Sequence, residues 1–117
     1  MREIFPENAE LIAFFGAEPE LFAPEVPWEY NTLTFAATRD HDKISCVIVP
    51  ELIVVELTWR HRGEEVVRLA AAEIERVEIL VDNGVPSLTA SAPGGALRLR
   101  LWLDPRVRLF VGNGFRD

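Results

Sequence analysis

The groups best able to do chemistry in this sequence are one thiol, Cys46, and two imidazoles, His41 and His61. A thiolate nucleophile with an imidazole base needs the two to meet in a partly exposed, electropositive place. Their setting predicts otherwise. Cys46 lies mid-strand in the alternating run 43–49, in parity with Ile44 and Ile48 and facing a core, whereas both histidines fall in turns. A buried cysteine there is a small hydrophobe. Asp40-His41-Asp42 has too few ligands for calcium and reads as turn chemistry. Two histidines and one cysteine at unrelated spacing do not compose a zinc site. Gly94-Gly95 and Gly112-Asn113-Gly114 are too short for a phosphate-cradling loop ahead of a helix, and no Gly-x-Ser-x-Gly or His-Glu-x-x-His occurs. No catalytic residue, metal site or cofactor is expected.

Two other groups of residues have the chemistry of recognition. Arg98, Arg100, Trp102, Arg106, Arg108 and Phe110 crowd the last predicted hairpin, with Arg100 opposite Phe110 and Trp102 opposite Arg108 on its outer face. Arginine and large aromatics are enriched in binding hot spots, although they also stack for structural reasons. Such a face suits an acidic partner protein, and its last strand offers an edge for strand addition. The second group is Val47, Val49, Leu52 and Val54, which makes an earlier hairpin apolar on both faces. Its cover is either the chain's own Leu11, Ile12, Phe15, Leu21 or Phe22, or an interface with a partner or a second copy.

These residues need elements to carry them. Asn8 is the expected N-cap of a helix of about two turns ending at Gly16, with Leu11, Ile12 and Phe15 on one face. Pro19, Pro24 and Pro27 then mark an extended connector. From Tyr30 the pattern is strands and turns, and facing residues must share a side. Asp40-His41 pairs Phe35 with Cys46 and Leu33 with Ile48. A turn at Pro50-Glu51 pairs Ile48 with Ile53, Cys46 with Val55, Val49 with Leu52 and Val47 with Val54. A loop at His61-Arg62-Gly63 sets Leu57 against Val67, Glu56 against Arg68 and Arg60 against Glu64. Asn83-Gly84, a strong hairpin signal, pairs Ile79 with Leu88 and Val77 with Ala90. Turns at Pro93-Gly94-Gly95 and Asp104-Pro105-Arg106 pair Ala92 with Leu97, Ala90 with Leu99 and Leu101 with Leu109. A five-residue link from Ala72 to Arg76 keeps the parity.

The fold expected is α+β and mainly β. It is an antiparallel meander of about eight strands curled toward a barrel or half-barrel, with splitting into a sandwich as the alternative. A single domain spans 1–117, with helix and connector in 1–27 and the body in 28–117. The inner face, from Leu33 through Ile44, Ile53, Trp59, Val67, Ile79, Val81 and Leu99 to Val111, holds no ionisable group but Cys46. Catalysis needs convergent titratable groups.

The 117 residues carry a net charge of −7, which disfavours nucleic acid. Residues 1–30 hold seven Glu and one Arg and could steer a basic partner. Apolar runs are too short to span a bilayer. The start lacks a secretory signal, and one cysteine cannot form an internal disulfide, so the expected address is cytoplasmic. The function expected is a non-enzymatic protein-binding module, possible as a homodimer, with a toxin-immunity partner as one fitting example. The alternative is a carrier or sensor of an apolar small molecule held inside the curled sheet.

Overall fold

The computed structural model describes residues 5–71 and 73–112. Helix α1 (Asn8–Phe15) starts one residue earlier than expected, because its cap is Glu7 rather than Asn8. Glu10 reaches back to accept the Glu7 N–H at 2.8 Å, which is one arm of a capping box. Gly16 ends the helix at φ 80°, a left-handed conformation that glycine adopts freely, and its N–H donates to the Ile12 carbonyl at 2.7 Å. The buried face is Leu11, Phe14 and Phe15, with Ile12 only half-buried.

The proline-rich connector is more than a spacer. Its strand β1 (Glu20–Leu21) pairs with β2 (Leu33–Arg39), and a 3-10 turn follows at Trp28–Tyr30. Asn31, only 4% exposed, ties the segment down. Its Nδ2 donates to the carbonyls of Ala23 (2.6 Å) and Val26 (2.9 Å). Its Oδ1 accepts from the N–H groups of Ala23 (3.1 Å) and Thr32 (2.9 Å). One buried amide thereby satisfies four backbone groups that the prolines leave outside any ladder.

The first sheet has the order β1-β2-β3-β4-β5, with β3 (Asp42–Val49), β4 (Val54–His61) and β5 (Glu64–Ala71) joined by hairpins. The β2–β3 register is as expected: Phe35 faces Cys46 and Leu33 faces Ile48. The β3–β4 register differs from expectation by two residues, and the β4–β5 register by one beside its turn and by two beyond a bulge. A two-residue shift preserves the sides of the sheet but changes the neighbours. Between β3 and β4 the turn takes in Leu52 and Ile53 as well as Pro50 and Glu51, and Ile53 N–H donates to the Pro50 carbonyl at 3.2 Å. Ile48 therefore faces Val55, Val49 faces Val54, and Val47 faces Glu56. Between β4 and β5 the turn is the pair Arg62-Gly63, with φ of 53° and 85° as a tight primed turn requires. A bulge then absorbs one residue, leaving Leu57 opposite Leu69 and Arg60 opposite Glu65. The expected pairs Glu56–Arg68 and Arg60–Glu64 do not form. Instead Glu65 binds Arg68 at 2.9 Å and lies 3.7 Å from Arg60.

One register does not run through the whole body. After Ala71 the chain leaves the first sheet, Glu73 turns at φ 56°, and Glu75 N–H bonds the Ser91 carbonyl at 2.8 Å. The second sheet, β6-β7-β8-β9, consists of β6 (Arg76–Asp82), β7 (Val85–Ser91), β8 (Leu97–Trp102) and β9 (Arg108–Val111). Here the expected pairs Val77–Ala90, Ile79–Leu88, Ala90–Leu99 and Leu101–Leu109 are present. A bulge at Ala90/Ser91 pairs Leu97 with Ser91 instead of Ala92. The protein is thus mainly β, with two antiparallel sheets that do not close into a barrel.

Both sheets send their inner faces into one core, from Leu33, Phe35, Ile44 and Leu57 on one side to Val77, Leu88, Leu99 and Leu101 on the other. Helix α1 packs against β2 of the first sheet and β6 and β7 of the second. Its Phe15 stacks on Phe35 at 4.7 Å and meets Phe14 edge-on at 5.0 Å. Arg39 of β2 also clasps Asp104, in the β8–β9 loop, at 2.9 Å. Val81 and Val111, expected inside, are 68% and 43% exposed because the ends of the second sheet run past the core.

Candidate protein-binding face

The thiol and imidazoles are kept apart: Cys46 faces the core, His41 lies in the β2–β3 turn, and His61, expected in a turn, is the exposed last residue of β4. Cys46 is fully buried, and the apolar surroundings push its thiol up to about 12. It will therefore react with an aromatic disulfide reagent at pH 8 only as fast as the chain opens, and at once in denaturant. Fast labelling of the native chain would contradict the sealed core.

His41 and His61 approach edge-on, with ring centroids 6.4 Å apart. Asp42 opens β3 opposite His61, and its Oδ1 accepts from Trp59 Nε1 at 2.9 Å and contacts His61 Nδ1 at 2.7 Å. The indole hydrogen bond, and then the imidazole, hold the Asp42 carboxyl below its ordinary value. Trp59, expected to face the core, thus spends its polar edge on this cluster. An aspartate with a lower folded than unfolded value contributes stability above its ordinary pKa and loses it as pH falls through the folded one. The variant Asp42→Asn will therefore show a flatter loss of its urea midpoint between about pH 5 and pH 2 than the wild type. Parallel curves would mean that the hydrogen bonds do not depend on the charge. Among the described residues no group of three or more His, Cys, Asp or Glu is placed to hold a metal.

The last hairpin brings together four of its six expected residues. Arg100 pairs with Phe110 and Trp102 with Arg108, all on the outer face of the second sheet. The guanidinium carbons of Arg100 and Arg108 lie 4.8 and 4.5 Å from the Trp102 ring centre. Arg100 is anchored from below, where its Nε donates to Ser87 Oγ at 2.9 Å. Arg106 sits exposed in the loop. Arg98 turns away toward the link between sheets and approaches Glu73 at 3.5 Å, with its side chain only 14% exposed.

Three further residues complete this face and were not singled out from sequence. Ser87 and Thr89 lie on the outer side of β7, yet both are buried beneath their neighbours. Their hydroxyls donate to the Leu80 and Glu78 carbonyls at 3.5 and 3.3 Å. Leu80 stands in the same cross-strand row as Ser87, Trp102 and Arg108, and is 41% exposed. The signal was readable: Leu80 is the one apolar residue in the outward series Arg76, Glu78, Leu80, Asp82.

The valine hairpin is reduced by its register. Leu52 leaves the strand for the turn and is 70% exposed, while Val47, Val49 and Val54 are half-buried. The helix does not serve as their main cover, because Leu11 and Phe15 are spent in the core. Phe22, another expected cover, is 86% exposed.

These features define a two-sheet, mainly β domain with a filled core and an Arg/Trp outer face. No family model matches the chain, and no curated protein matches it in sequence. Its fold is similar to that of one chain in a solved structure described as a contact-dependent growth inhibition toxin–immunity protein complex from Klebsiella pneumoniae 342. The TM-score is 0.72 with 14% identity, over 91% of this chain and 92% of that one. At that identity the likeness establishes the shared fold. No helix among the described residues is long and apolar enough to cross a membrane.

Proposed function

We propose that this chain is a non-enzymatic, cytoplasmic protein-binding module of the immunity type, which neutralises a toxin by binding it. The observation that carries the reading is the fold shared, over nine-tenths of both chains, with a component of a toxin–immunity complex. Interior chemistry favours the immunity side of such a pair. A catalytic toxin needs convergent titratable groups, whereas among the described residues the inner faces offer a sealed thiol and otherwise apolar side chains.

Charge supports the same assignment. Glu7, Glu10, Glu18, Glu20, Glu25 and Glu29 are all exposed, on a chain of net charge −7. A field of that sign speeds encounter with a basic protein. The alternative, a carrier of an apolar molecule, gains no support from a core in which Phe14, Phe15 and Phe35 fill the space beside the helix.

The test begins with affinity capture by the full chain and identification of the retained protein. That protein, expressed alone in a bacterial host, should arrest growth, and co-expression of this chain should restore it. A retained protein that is harmless, or whose toxicity this chain leaves unchanged, would overturn the immunity reading.

A further inference from the structure

We infer that the Arg100–Trp102–Arg108 stack is a docking site for an acidic segment of the partner protein. The inference rests on the protein-binding reading above and adds where the partner is held and by what chemistry.

Its basis is a contrast among the arginines. Arg39, Arg60, Arg68, Arg76 and Arg98 each lie 2.9 to 3.7 Å from a carboxylate of this chain. Acids outnumber bases here by 19 to 12, so partners are plentiful. Yet four arginines have no carboxylate partner among the described residues: Arg62 and Arg106, exposed in loops, and Arg100 and Arg108, which share an indole within a sheet face. Two like charges held against one ring repel each other, and at an exposed position a modest local compensation offsets this. The indole face supplies part of it. An incoming anion supplies the rest.

The geometry is that of a prepared site. Both guanidinium carbons lie over the Trp102 ring, and a guanidinium presents its N–H donors in a fork that matches carboxylate oxygens. Arg100 commits its Nε to Ser87, and its terminal nitrogens have no hydrogen-bond partner among the described residues. Glu78 shares a cross-strand row with Arg100, but it stands two strands away and binds Arg76 at 3.2 Å. On the flanks, Leu80 is 41% and Phe110 48% exposed. Two cations between two apolar shoulders match a peptide that alternates acidic and apolar residues. They match a polyphosphate or nucleic acid poorly, since the apolar shoulders would go unused.

The experiment uses the full chain labelled with nitrogen-15 and follows the Trp102 indole N–H and the Arg100 and Arg108 Nε–H signals. The probes are a six-residue peptide alternating glutamate and leucine, the same peptide with lysine for glutamate, and tripolyphosphate. The glutamate peptide should move these signals saturably. Its apparent Kd should rise at least tenfold in Arg108→Gln, an exposed position, and less in Arg108→Lys, which retains charge but loses the fork. Urea midpoints verify that both variants fold. No movement with the glutamate peptide, unchanged affinity in Arg108→Gln, or tighter binding of tripolyphosphate than of peptide would each overturn the assignment. With a captured partner in hand, equal retention by wild type and Arg108→Gln would remove this site while leaving the protein-binding reading intact. A peptide response with no neutralised toxin would do the reverse.

Discussion

Replacing Phe15 with alanine should lower stability by about 3–5 kcal/mol, the range for deleting a buried aromatic side chain. Phe15 is 2% exposed, stacks on Phe35 and touches Phe14. Helix α1 has only eight residues, too few to hold its shape by hydrogen bonds alone, so it stays helical because Leu11, Phe14 and Phe15 bury their face. The same face bridges the two sheets, which have no strand-to-strand ladder between them. The cavity left by Phe15→Ala would therefore loosen the helix and the contact between sheets together. Urea unfolding followed by far- and near-ultraviolet circular dichroism is the measurement. A single transition at a much lower midpoint is the expected result. A loss below about 1 kcal/mol would show that the helix is an accessory to the core.

The second large effect is expected at Asn31. Its side chain makes two donor and two acceptor hydrogen bonds to backbone groups of the connector. Asn31→Ala removes all four bonds. The Ala23 carbonyl keeps the Val26 N–H at 2.9 Å, but the Ala23 and Thr32 N–H groups and the Val26 carbonyl lose this partner. At about 1 kcal/mol for each bond lost the penalty is several kcal/mol. Asn31→Asp should be worse at neutral pH despite its closer shape. It replaces an amide that donates to the Ala23 and Val26 carbonyls with an oxygen that repels them. Limited proteolysis gives a local readout. Cleavage between Phe22 and Val26 should accelerate in both variants, and most in the aspartate variant. Equal protection in all three proteins would show that the prolines alone hold the connector.

These two expectations come from features of unequal legibility. Alternation along the strands was easy to read, because opposed residues share a side and a two-residue slip does not change it. Phe35, Ile44, Cys46, Leu57, Leu88 and Leu101 were therefore placed inside correctly, even though two of the hairpin registers were displaced. What parity cannot resolve is the length of a turn. Ile53 adopts φ 52°, unfavourable for a branched side chain, and the Val66 bulge leaves no local mark. The attractive charge pairs proposed for β4 and β5 misled for a physical reason: exposed ion pairs contribute little and do not set a register. Four face-sharing residues of the Arg/Trp hairpin were legible because their turn length was right. Its floor was not, since Ser87 and Thr89 are small polar residues whose burial depends on the long side chains of the neighbouring strand.

The alternation has a further consequence for how such a protein changes. Each strand divides its residues between two tasks: one set fills the space between the sheets, and the other set meets whatever lies outside. In the second sheet Val77, Leu88, Ala90, Leu99 and Leu101 perform the first task, while Leu80, Trp102, Arg108 and Phe110 have no part in it. Replacements in the outward set leave the inner packing untouched, so a new partner can be accommodated by rewriting every second residue. Two chains of 14% identity can accordingly share this fold at a TM-score of 0.72, since the outward positions are left to vary without touching the architecture.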